Sequence, residues 1–280
     1  MTNFVRRMAF LKHIWHDIFK RIDLICIYLI NKKKSFVLLI VFSIFCSNYM
    51  VQAQDKAKAK WHYLAEVYLM FPGMSGYIQV ADLPPVEVDA NAGDIFGHLK
   101  MGMMFYFEAT NDNWAITSDL LYMKLGQDVT PRHVVTGGNI TMKQTAWEIA
   151  GFKRITPWLE GGLGGRLVSL YSGLDIETIN DSRSGSASKT WVDPIIIIRS
   201  QGAIKGKWLL QFRGDIGGFG LGSNFSWQLQ AYVGYRFSKL FQTSIGYRYI
   251  SIDYDKGEGT DRFVYDVDTY GPVIRFGFNF

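Results

Sequence analysis

Apolar and polar side chains alternate along the last residues of the chain. Ile274, Phe276, Phe278 and Phe280 fall on one face of an extended segment, and Val273, Arg275, Gly277 and Asn279 fall on the other, because successive strand residues point to opposite sides. The same division recurs in Trp227–Ser238. There Trp227, Leu229, Ala231, Val233, Tyr235 and Phe237 oppose Gln228, Gln230, Tyr232, Gly234 and Arg236. In Trp208–Ile216 it separates Trp208, Leu210, Phe212 and Ile216 from Gln211, Arg213 and Asp215.

No helix-period segment of useful length follows residue 54. The alternating runs predict strands near 61–71, 98–109, 114–126, 140–154, 156–170, 191–203, 207–217, 225–237, 241–254 and 264–280. Most are long enough to cross a bilayer when tilted. Long connections at 72–97, 127–139, 171–190, 218–224 and 255–263 alternate with short ones at Thr110–Asn113, Lys153–Ile155, Ile204–Gly206 and Ser238–Leu240. That rhythm predicts an all-β fold, a closed antiparallel transmembrane β-barrel with both termini on the short, periplasmic side. Ten strands close the sheet with none left over; eight would result if the first or the fourth run were not a full strand. Within Gly73–Leu99, the Pro84-Pro85 pair and Val86–Asp89 predict a short extra strand, followed by a helical turn at Asp94–Leu99, over one mouth of the barrel. Asn180–Lys189, rich in Ser and Gly, predicts a mobile loop tip.

Composition supports many strands and tight turns: aromatics make up 15%, with 28 glycines against 7 prolines. A mean hydropathy near zero is too polar for a helical membrane protein. The formal charge of +5 is misleading, because residues 1–53 carry 8 Lys/Arg against 2 Asp/Glu and the remainder 22 against 23, a net of −1. The basic excess belongs to a leader, and nucleic-acid binding is excluded on that ground. Lys32–Lys34, the apolar run Phe36–Cys46 and Val51-Gln52-Ala53 have the three-part layout of a secretory signal. Cleavage after Ala53 would divide the chain into a leader, 1–53, and a barrel, 54–280. The leader is long, consistent with a start codon assigned too early. A lipid-modified Cys46 is opposed by the bulky Phe45 before it, and Cys26 and Cys46 both lie in the leader, which leaves the exported chain without cysteine.

Gly234-Tyr235-Arg236-Phe237, Gly246-Tyr247-Arg248-Tyr249, the signal before Gln54 and the terminal Phe280 resemble the small outer-membrane barrels of the broad OmpA/OmpW-like class. Gly214–Gly220 with Ser223 and Trp227 is similar to a subgroup of that class. The resemblance covers about the whole exported chain. It implies a Gram-negative outer membrane as the location and membrane lipid as surroundings, with Phe280 as the signal read by the barrel-assembly machinery.

Placing the polar face of each strand in the lumen gives an acidic set, Glu66, Glu108, Asp119, Glu148, Glu160, Asp193 and Asp215. The basic set is Arg166, Arg199, Arg213, Arg236, Arg248 and Arg275, with no lysine among them. Arginine presents a planar fork that binds carboxylates and keeps its charge when confined. Two readings fit. Paired charges could fill a narrow interior, or Arg213, Arg236, Arg248 and Arg275 could form the anion-binding wall of a narrow porin-like path. Gly161, Gly162, Gly164 and Gly165 lack the Lys-Ser/Thr of a phosphate loop and read as strand glycines that make room for neighbours. His62, His98 and His133 are scattered, which argues against an enzyme and against a metal motif. Trp61, Trp114, Trp158, Trp191, Trp208, Trp227 and Tyr270 near strand ends predict two interfacial girdles. The expectation is a monomeric surface barrel without a cofactor, structural or interaction-based in role, its ligand unspecified.

Overall fold

The computed structural model describes residues 60–280 except 130, 132–134 and 180. The leader with its cysteines and the cleavage position lie outside the described residues, as does His133. Twelve strands form one antiparallel sheet: β1 (His62–Met70), β2 (Gly73–Val80), β3 (Val86–Ala90), β4 (Leu99–Thr110), β5 (Trp114–Asp128), β6 (Val135–Thr156), β7 (Leu159–Thr178), β8 (Ser182–Lys205), β9 (Trp208–Gly217), β10 (Phe225–Arg236), β11 (Phe241–Lys256) and β12 (Phe263–Asn279). Ten of them, β1 and β4–β12, pair in sequence, and β1 pairs with β12 from Leu64↔Asn279 to Met70↔Val273, so the sheet closes into a barrel. Closure gives every wall strand a partner on both sides, as a membrane-spanning sheet requires, although β1 and β4 pair over only part of their lengths.

The wall is inverted relative to a water-soluble protein. Ile116, Ile149, Ile196, Phe212, Leu229 and Ile245 are exposed on the outside, whereas Glu66, Arg166, Asp193 and Gln228 are fully buried within. Such a surface is stable against lipid and not against water. Of the aromatic residues expected in girdles, Trp61, Trp114, Trp158 and Trp208 are exposed near strand ends.

Two expectations are corrected. Residues 171–190 do not form a loop: β7 and β8 stay paired from Leu159↔Ser200 to Glu177↔Ser182, and the Ser/Gly-rich stretch is strand up to the turn. At about 3.3 Å per residue, β6–β8 project well past the ends of β9 and β10. Residues 73–97 form not one short strand but a hairpin, β2–β3, and a short helix, α1 (Ala92–Gly97), begun by a capping box between Asn91 and Asp94. β2 continues the line of β1 along β12 in unchanged register, Met70↔Val273 being followed by Gly73↔Tyr270. Only Phe71-Pro72 separates them, and Pro72 has no N–H to give to the ladder.

Candidate functional site

The lumen is the chemically rich part of the molecule. Strand alternation that puts Ile, Leu and Phe outside necessarily turns the intervening residues inward, and here those residues are charged. Near the end of the barrel where β1 begins and β12 finishes, Arg199 forks onto Glu108, both nitrogen–oxygen distances being 2.9 Å, and reaches Glu160 through Nε at 2.5 Å. Its guanidinium lies 4.1 Å from the centre of the Phe152 ring, a cation–π contact. Arg154 adds a second cation to Glu160 at 3.3 Å.

Arg275, on the closing strand, donates to Glu66 at 3.3 Å and to the Tyr232 hydroxyl at 2.8 Å. Arg248 lies 3.0 Å from Asp119 and donates to Gln228 at 2.8 Å, while the Tyr68 hydroxyl donates to Asp119 at 2.6 Å. Arg166 bridges Glu148 at 3.0 Å and Asp215 at 2.5 Å. Arg213 contacts the same two carboxylates, and Gln228 donates to Asp215 at 2.8 Å. These groups are nearly all buried. A buried charge without a partner costs several kcal/mol, roughly, so cation and anion have to be supplied together.

Toward the other end the interior becomes apolar. Val168, Trp191, Ile250, Ile252, Tyr265 and Val267 pack in one buried cluster. Below it, Asp193 accepts from the Ser223 amide at 2.6 Å and from the Ser223 hydroxyl at 2.8 Å, and Trp191 Nε1 donates to that hydroxyl at 2.9 Å. This clasp pins the β9–β10 turn inside the barrel. Replacing Ser223 with alanine strands the indole N–H and one carboxylate oxygen. It should lower the unfolding free energy by about 1–3 kcal/mol in denaturant titrations.

Twelve of the thirteen charged residues assigned to the lumen from sequence line the interior. Arg236 does not: as the last residue of β10 it is exposed, and it borders an open recess at the mouth where β1 begins, beside His62, Gln242 and Asn279. Asp193 bonds to Ser223 and Trp191 turns inward to stack on Tyr254 at 4.2 Å, which removes it from the girdle. Tyr68, Tyr106, Tyr232, Gln228 and Gln230 were not assigned to the network and are integral to it. Parity with Arg236 and Glu108 already places several of them on the same face. Phe280 closes the sheet through a 3.0 Å bond from its amide to Tyr63.

The interior spaces beside these groups are small. One void lined by Asp119, Glu148, Arg166 and Arg248, and one lined by Tyr106, Arg199, Arg213 and Arg275, are each about 30 Å³, room for ordered water against their polar walls. Among the described residues no set of three or more His, Cys, Asp or Glu is placed to hold a metal ion.

No family model matches the chain, and no curated protein does. Solved structures that align with it include Ail of Yersinia pestis, at 11% identity over 79% of this chain and 98% of that one, with a TM-score of 0.34. The outer-membrane protease OmpT of Escherichia coli aligns at 6% identity over 81% and 99%, with a TM-score of 0.47. The toluene transporter TbuX of Ralstonia pickettii aligns at 6% over 80% and 90%, with a TM-score of 0.35. The chain thus has an outer-membrane-type β-barrel fold, a conclusion carried by its closed ladder and inverted surface.

Proposed function

We propose that this protein is a monomeric, non-enzymatic barrel of the bacterial outer membrane whose lumen is closed by paired charges and whose role is structural or interaction-based at the cell surface. The observation that carries the reading is the continuous set of Arg–carboxylate pairs from Arg199 to Arg166: the two voids between the pairs are about 30 Å³ each, and the larger recess of about 270 Å³ that reaches Glu108 lies at the mouth beside Arg236. Arg213, Arg248 and Arg275 each face a carboxylate, which leaves little cationic surface for a passing anion and weighs against a channel for small anionic or polar solutes.

In this reading both termini face the periplasm and Phe280 is the signal read by the assembly machinery. The β6–β8 extension and the β2–β3–α1 segment then stand on the extracellular side, available to a partner. Histidine chemistry has little support: His98 uses Nδ1 on the Asp94 carbonyl at 2.7 Å, and His62 lies at the opposite end of the sheet. Liposome swelling tests the reading. Vesicles containing the protein should swell in small sugars and in potassium salts no faster than protein-free vesicles, and accelerated swelling would favour the channel.

A further inference from the structure

The barrel wall is interrupted at one seam. β1 pairs with β4 only from His62↔Thr110 to Val67↔Phe105, although β1 runs on to Met70 and β4 reaches back to Leu99. Beyond Val67 the strands part, and the Met70 amide, without a ladder partner on β4, donates to the thioether of Met104 at 3.3 Å. The cause lies in the chain path: β3, not β4, takes the free edge of β2, and α1 bridges the divergence.

The split leaves a cavity of about 450 Å³, lined by Tyr68, Met70, Ile95, Gly102, Met103 and Met104 among others. That size falls within the roughly 300–1,000 Å³ of small-ligand sites. Its rim residues Val67, Leu69 and Phe276 are exposed on the lipid-facing surface, so the cavity is continuous with the surface that meets the bilayer. Its inner wall is methionine, leucine and isoleucine. Methionine is flexible and polarizable, and adapts to an irregular apolar guest. Inward it meets the roughly 30 Å³ void whose floor is Asp119, Glu148, Arg166 and Arg248, sharing Pro72, Met104 and Met123 with it. The pocket is therefore open to lipid at one end and stopped by charge at the other.

We infer that this seam is a lateral docking site for a hydrocarbon chain, specifically an acyl chain of a bilayer lipid that enters between β1 and β4. The apolar lining and the lipid-side mouth select a chain over a polar solute, and the charged floor sets how far it enters. Gly102 is the position at which to fill the site: a Cβ there would lie 3.7 Å or more from any neighbour, the nearest being Leu99.

The test is photo-cross-linking of the protein in vesicles of a phospholipid that carries a diazirine on its acyl chain. Annular lipid reaches only outward residues such as Ile116 and Ile149, whereas Met104 and Leu99 lie inside the seam. The wild type should give adducts at Met104 and Leu99. G102F should reduce these roughly tenfold while leaving those at Ile116 and Ile149 unchanged. A heat-dependent gel shift checks that the variant has folded, and G102L provides a smaller filler. Wild-type adducts confined to outward residues would show that α1 seals the seam and would overturn the inference. Unchanged Met104 labelling in a folded G102F or G102L would do the same.

Discussion

Replacing Glu148 with alanine is expected to lower the unfolding free energy of the barrel by about 3–5 kcal/mol, the usual consequence of removing one partner from a buried ion pair. Glu148 contacts both Arg166 and Arg213 and is 3% exposed. Its loss leaves two guanidinium groups sharing the single carboxylate of Asp215. The neighbouring void of about 30 Å³ has room for ordered water but not for bulk solvent, and a neutral water does not replace the lost charge. E148Q, which keeps an acceptor oxygen, should lose less than E148A. Urea titrations in lipid vesicles, followed by tryptophan fluorescence, measure both. A change below about 1 kcal/mol would be that of a solvent-screened surface pair and would argue that the lumen is wetter than its geometry.

Enlarging Gly246 is the second change expected to destabilise the barrel strongly. Gly246 pairs with Val273 and lies opposite Tyr232 on β10. A Cβ at this position would come within 2.0 Å of the Ala231 carbonyl oxygen and 2.4 Å of the Tyr232 ring. Neither can yield easily, since the carbonyl belongs to the ladder and the Tyr232 ring lies beneath Arg275, 3.9 Å from the guanidinium. G246V therefore pushes on the wall and on the Arg275–Glu66 pair together. Overpacking of this kind costs about 1–3 kcal/mol, and more when backbone must move. Most of the protein should fail to reach the heat-modifiable form on refolding. A variant that refolds in full yield would contradict the close approach of β10 and β11.

The two residues illustrate how much of the molecule is legible in its sequence. The ten wall strands are, because each separates lipid from lumen and a period of two is the only pattern that serves both. Lumen charges follow from the same parity. The end of each strand is less legible. Arg236 shares parity with the inward set, yet it stands at the last position of β10, where the wall stops enclosing anything. Trp191 reads as a girdle residue by its place in the sequence; its parity with Asp193 is the signal that turns it inward, toward Tyr254 and Ser223.

The β7–β8 extension loses the alternating pattern for a physical reason. Beyond the membrane both faces of Ser182–Ser188 are exposed, so Ser, Gly and Ala serve on either side and the segment reads as loop. The seam between β1 and β4 was hidden differently. It depends on which strand occupies the edge of β2, a long-range choice that no local pattern encodes. Specific partners inside the lumen are hidden for the same reason: Arg275 and Glu66 are 209 residues apart in the chain, and only closure of the barrel brings them together.

Single-channel recording of the purified protein in planar bilayers, on material verified as a heat-modifiable monomer, tests most directly whether the charge-paired lumen is closed. The wild type should pass no stable unitary current. Stable, ion-selective steps from the folded monomer would contradict a closed lumen and make the inward arginines a conducting wall.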